Sequence, residues 1–131
     1  MRNKQIESHI ALMISSWLRR QHKSVLYRYD IADLKLTKNQ AIRMKRLQGG
    51  ISKYPDLFIC EPRGQYHGMY IELKKDSDEV YTKIGEIRQS EHIQGQYNML
   101  IALRERGYYA EFGLGFEHTI KMIDGYLKIK G

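Results

Sequence analysis

KYPDLFIC at residues 53–60, EPRGQYHG at 61–68 and MYIELK at 69–74 decide how this chain folds. The outer two are short runs rich in aliphatic and aromatic residues, and the segment between them carries one proline and two glycines. That pattern predicts two antiparallel strands joined by a hairpin turn. Side chains alternate across a strand, so Ile71 and Leu73 face one side while Glu72 and Lys74 share the other. The apolar pair can anchor the strand in a core while the polar pair lines a cleft. Asp56 opens the first strand behind Pro55, and hairpin pairing would bring it close to Glu72.

Two carboxylates that close repel each other, and a bound Mg²⁺ or Mn²⁺ relieves the cost. The backbone carbonyl of Leu73 would offer a further oxygen ligand. Lys74 would then orient the attacking water or offset charge on a phosphate, an arrangement suited to phosphodiester hydrolysis. By spacing alone, a surface cross-strand pair of Glu72 with Lys74, worth little in stability, accounts for the motif equally well.

Outward from the hairpin, Ile6, Ile10, Met13, Ile14, Trp17 and Leu18 recur at helical spacing and predict an amphipathic first helix over 3–19. Glu7 lies at the edge of its apolar stripe, where it could reach the cleft. VLYRYDI, 25–31, reads as a strand, and Thr37 caps a second helix running to about Leu47 and ended by Gly49-Gly50. Arg43, Lys45 and Arg46 project from it. Cys60, inside an apolar strand, reads as a buried small side chain. Residues 75–90 show no periodic face and are expected to form an exposed loop. A long helix follows from Ser90 to about Arg106 and carries Gln96, placed to hydrogen-bond Lys74 or a phosphate, with Tyr97 packing beside it. A strand at 108–112 and a helix at 116–127 complete the chain. The order α-β-α-ββ-α-β-α predicts an α/β fold, a mixed sheet covered by helices, in a single domain over 1–131.

The chain is 131 residues long, 42% apolar, with a net charge of +7. Of its 22 basic residues 13 lie in the first 63, against 5 of the 15 acidic ones, an asymmetry expected of a face that attracts a polyanion. No apolar run approaches the roughly 20 residues needed to span a membrane. The N-terminus lacks a clean apolar signal region, and the one cysteine suits a reducing cytoplasm. The five histidines are scattered without zinc spacing; His67 and His92 fall nearest the expected cleft. No Gly-rich phosphate loop or nucleophile elbow is present, so neither ATP nor serine hydrolysis is implied.

Gly49-Gly50, Lys53-Tyr54-Pro55-Asp56-Leu57, Ile71-Glu72-Leu73-Lys74, Gln96 on its helix and Gly107-Tyr108 before a final strand and helix together resemble the VRR-NUC family of the PD-(D/E)xK nuclease superfamily. The resemblance covers most of the chain from about residue 40. It implies a restriction-endonuclease-like core with Asp56, Glu72 and Lys74 as the catalytic acid, acid and lysine. Gln96 corresponds to the family's helical glutamine and Glu7 to the acid of the first helix. It further implies Mg²⁺ or Mn²⁺ as cofactor, DNA as substrate, and a homodimer resembling Holliday junction resolvases, from a phage or prophage and acting in the host cytoplasm. A flap or restriction-like nuclease is the rival enzyme reading, and a non-catalytic DNA-binding module the rival from another class. The first helix, the VLYRYDI strand or residues 75–90 would supply the dimer contact, with Trp17, Tyr27 and Tyr29 as interface or core aromatics.

Overall fold

The computed structural model describes residues 2–30, 37–49 and 54–131. The expected Ile31, Gly50 and Lys53 positions lie outside them. Four helices and four strands follow the predicted order: α1 (Arg2–Gln21), β1 (Tyr27–Tyr29), α2 (Lys38–Leu47), β2 (Leu57–Ile59), β3 (Met69–Lys74), α3 (Glu91–Glu105), β4 (Tyr109–Leu114) and α4 (Phe116–Leu127). β1 is shorter than predicted, because Leu26 is exposed and precedes the ladder. Thr37 caps α2 as expected: its side-chain oxygen accepts from the Gln40 N–H at 3.2 Å, and the Gln40 carbonyl oxygen accepts from the Thr37 N–H at 2.9 Å.

The sheet is mixed, in the order β1-β2-β3-β4, antiparallel across the first two junctions and parallel between β3 and β4. The β3–β4 connection through α3 is the crossover that a parallel pair requires. Alternation divides the sheet into two faces. Leu57, Ile59, Met69, Ile71 and Leu73 pack against α1 and α4 through Ile14, Leu18, Ile123 and Tyr126. On the other face Ala110 and Phe112 pack under α3 through Ile93, Leu100 and Leu103. Burying these side chains contributes about 1.5–3 kcal/mol for each large aliphatic one.

Two expectations are corrected and one open alternative is decided. Residues 75–90 are not a featureless exposed loop: a 3₁₀ turn at Ser77–Glu79 is capped by Asp76, Val80 is fully buried against α3 and β4, and Tyr81 bridges Ile87. Cys60 is exposed, since β2 ends at Ile59 and the thiol falls on the part of the second face that α3 leaves uncovered. Of the two roles left open for Trp17, Tyr27 and Tyr29, interface or core, the structure gives them the core: they pack into or against it beneath the first face.

Candidate active site at the end of strand β3

Leu57 pairs with Ile71, so the next rung places Asp56 across from Glu72, as the hairpin predicted. β2 has ended there, and the Asp56 side chain continues the pairing by accepting the Leu73 N–H at 2.9 Å. The Asp56 carbonyl accepts from the Asp30 N–H at 2.7 Å, which ties β1 to the same corner. Asp56 is thus fixed through both main chain and side chain, a property a surface residue of a cross-strand ion pair would not need.

Glu72 and Lys74 are buried, at 5% and 3% exposure. This excludes the reading of them as a solvated surface pair. Burial is the main cause that pushes the Glu72 carboxyl well above its ordinary value; the hydrogen bond to Asp56 and the Asp56 charge add to it, while Lys74 pulls the other way. Glu72 therefore keeps a proton that an exposed glutamate would release.

The first turns of α1 carry Glu7 to the same place. Its carboxyl is pushed up to about 8, first by burial and then by a hydrogen bond to Glu79 and the charge of Glu79; Lys74 opposes this and Asp56 reinforces it. Glu7 and Glu72 thus both feel the charges of Asp56 and Lys74, and Glu7 that of Glu79 as well. Among the described residues, no three His, Cys, Asp or Glu side chains stand together as a ready-made cation site. The acids are instead paired off, Glu72 with Asp56 and Glu7 with Glu79. Oxygen donors only, with an excess of negative charge held in check by retained protons, are a donor set whose chemistry fits a hard divalent cation.

Gln96 lies on the buried side of α3. It is only 8% exposed, and its amide oxygen is buried without a hydrogen-bond partner. Buried acceptors are nearly always satisfied, by protein groups or by ordered water, so the partner of this one is water or another group outside the protein's own atoms. Two residues escaped the sequence reading. Glu79 lies in the segment read as an exposed loop; the signal was Val80, an apolar residue that ends the polar run Asp76-Ser77-Asp78-Glu79, whose Asp76 can cap a short turn. Tyr29 lies against Asp56, whose charge, after burial, raises its phenol above the ordinary value, and its hydroxyl is buried and unpartnered. Nothing in the alternation of VLYRYDI distinguishes it from Tyr27.

A cleft of about 400 Å³ runs from Asp56 between β1, β2 and α2. No residue of α2 is buried: Met44, Leu47 and the C-cap Gln48 line that cleft, Lys45 and Arg46 face a separate pocket with Ile42 and Gly49, and Arg43 is exposed. A larger cavity of about 550 Å³ at the far end of α1 is bordered by Arg20, Lys23, Arg63 and Lys128 and lies roughly 20 Å along the helix from Glu7. His67 does not belong to the site. It precedes β3 at the opposite end from Lys74, roughly 16 Å from Glu72 along the strand, with its ring against Tyr108. No described helix is long and apolar enough to cross a membrane.

No family model matches the sequence, and neither does any curated protein. Among solved structures, one described as "VRR_NUC domain protein" is similar over 93% of this chain and 88% of its own, with a TM-score of 0.68 and 26% identity. The chain is therefore remotely similar to a VRR_NUC domain protein along nearly its whole length, and its mixed sheet flanked by helices is the PD-(D/E)xK-like architecture.

Proposed function

We propose that the chain is a metal-dependent endodeoxyribonuclease that hydrolyses phosphodiester bonds in four-way or otherwise branched DNA. The observation that supports this reading is the placement of Asp56, just past the β2–β3 ladder and bonded to the Leu73 N–H, beside Glu72 and Lys74 on β3 and within the charge field of Glu7 from α1. Asp56, Glu72, the Leu73 carbonyl and Glu7 would hold Mg²⁺ or Mn²⁺. The ion would supply polarisation of a phosphoryl oxygen and a lowered pKa for bound water.

The chain's own residues account for the other requirements. Lys74, buried among carboxyls, presents a cation to the scissile phosphate and orients the attacking water. Gln96 supports it by offering its unpartnered amide oxygen to that water. Arg43, Lys45 and Arg46 of α2 would take backbone phosphates, a contribution that weakens as salt rises. A homodimer would give a two-fold junction two sites. Ile6 and Met13 of α1, at 39% and 38% exposure and on one side of the helix, offer an apolar patch for a second copy.

The test is cleavage of end-labelled four-way junction, flap, linear duplex and single-stranded DNA with Mn²⁺, with Mg²⁺ and with chelator, beside Asp56→Ala. Paired, metal-dependent cuts in the junction that vanish in Asp56→Ala are expected. Cuts confined to flaps or to one duplex sequence would move the protein to the flap or restriction-like class. Cleavage that survives Asp56→Ala would remove the assigned site, and tight binding with every substrate intact would make it a DNA-binding module.

A further inference from the structure

The cleft beside Asp56 has features that phosphate binding does not require. α3 packs chiefly on β4, and on the remaining part of the second sheet face the half-buried Phe58 of β2 and Tyr70 of β3 line an open slot. Their rings stack with centroids 4.5 Å apart and planes 29° apart. Tyr108 braces both from the side, edge-on, at 5.2 Å from Tyr70 and 6.2 Å from Phe58. Gly68 lies against the pair: a Cβ there would stand 2.9 Å from the Phe58 ring, so only glycine lets that ring keep its place.

Met44 and Leu47 of α2 border the slot, which explains why a helix with no buried residue carries apolar side chains at its C-terminal end. Arg28 and Gln48 supply polar edges, and Tyr54 stands at the mouth. Asp56 forms one end, joining the slot to the catalytic carboxyls. A stacked aromatic pair, an apolar rim, polar edges and a volume of about 400 Å³ suit a small planar ligand. Arg28 and the cations of α2 make the neighbourhood attractive to phosphate.

We propose that this slot is a subsite for an unpaired nucleotide, its base stacked on the outward ring face of the Phe58–Tyr70 pair and its phosphate held at the Arg28 edge of the slot. A base inside a duplex cannot present its face to a side chain, whereas an unpaired or extruded one can. The inference deepens the nuclease reading and rests on it for the choice of a nucleic acid as ligand. It implies that the scissile phosphate adjoins a nucleotide freed from the stack, as at a branch point or flap.

The test is fluorescence anisotropy of the full chain in chelator, so that nothing is cut, with a labelled single-stranded oligothymidylate and a blunt duplex of the same length. Tyr70→Leu keeps apolar bulk but removes the ring, and Tyr70→Phe keeps the ring. Loss of one base–aromatic stack should weaken single-strand binding by about 5- to 150-fold in Tyr70→Leu. Duplex binding should hold, and Tyr70→Phe should behave as the wild type. Tyr54→Ala, at a position 39% exposed and so free of core packing, should show the same selective loss and serves if Tyr70→Leu does not fold. Equal losses on both DNAs, or no loss on the single strand, would overturn the subsite. Because binding is read without cleavage, that outcome leaves the Asp56→Ala result to judge the nuclease reading separately.

Discussion

Without a divalent cation, raising the pH should destabilise this protein, and Glu7→Gln should remove much of the loss. The folded Glu7 titrates at about 8 against an ordinary 4.5. Below pH 4.5 the group is protonated folded or unfolded and contributes nothing. Between 4.5 and about 8 the unfolded chain releases the proton while the folded one keeps it, so stability falls as pH rises, levelling off above 8. At about 1.36 kcal/mol per pKa unit the full shift would amount to about 4–5 kcal/mol. Glu7 is only half-buried, and solvent screening reduces this to about 2 kcal/mol, or roughly 6–8 °C in Tm for a chain of this length. Urea unfolding followed by circular dichroism at pH 5 and pH 8, in chelator, measures it. Gln is isosteric and can still hydrogen-bond Glu79 without ionising, and losing the Glu7 charge also eases Glu72. Mn²⁺ should reverse the wild-type loss by binding the ionised acids, about 2.7 kcal/mol at a hundredfold excess over Kd. Parallel pH slopes for wild type and Glu7→Gln, or a wild type that gains stability from pH 5 to 8, would refute the pairing of carboxyls described above.

Val80→Ala should cost about 2 kcal/mol in urea unfolding, because Val80 is fully buried and pins the turn that carries Glu79. Gly113→Ala should cost about 1–3 kcal/mol by the same measurement: its Cβ would meet Ile71 Cγ2 at 2.8 Å and crowd Thr119 as well, where α4 crosses β4. Thr37→Ala removes a capping box worth about 1 kcal/mol. The loss should appear as faster amide exchange in α2 with an unchanged urea midpoint, since no residue of α2 is buried. Lys74→Ala should lower turnover far more than Mn²⁺ affinity, read by titration calorimetry against single-turnover cleavage; equal effects would make Lys74 part of the cation site instead.

Local signals carried much of the architecture. The alternation of MYIELK set Ile71 and Leu73 against α1 and α4, and the capping pattern at Thr37 located the start of α2, because both depend on neighbours within a few residues. Cys60 was misread since burial depends on what covers a face, and α3 packs chiefly on β4. The segment 75–90 was misread because its order comes from one buried side chain, Val80, and one main-chain bridge, neither of which leaves a periodic trace.

The candidate site divides in the same way. Asp56, Glu72 and Lys74 were legible together because a hairpin's register converts sequence separation directly into distance. Sequence alone therefore determined the β2–β3 unit, the order of the elements and the acid–acid–lysine set. Only the tertiary structure decided that Glu7 pairs with Glu79, that Tyr29 lies against Asp56, that the Gln96 amide oxygen is buried without a partner, and that Phe58 and Tyr70 stay open beside the acids. Those relations join elements far apart in the chain, and they are fixed by how α1, α2 and α3 pack on the two faces of the sheet, which no local pattern encodes.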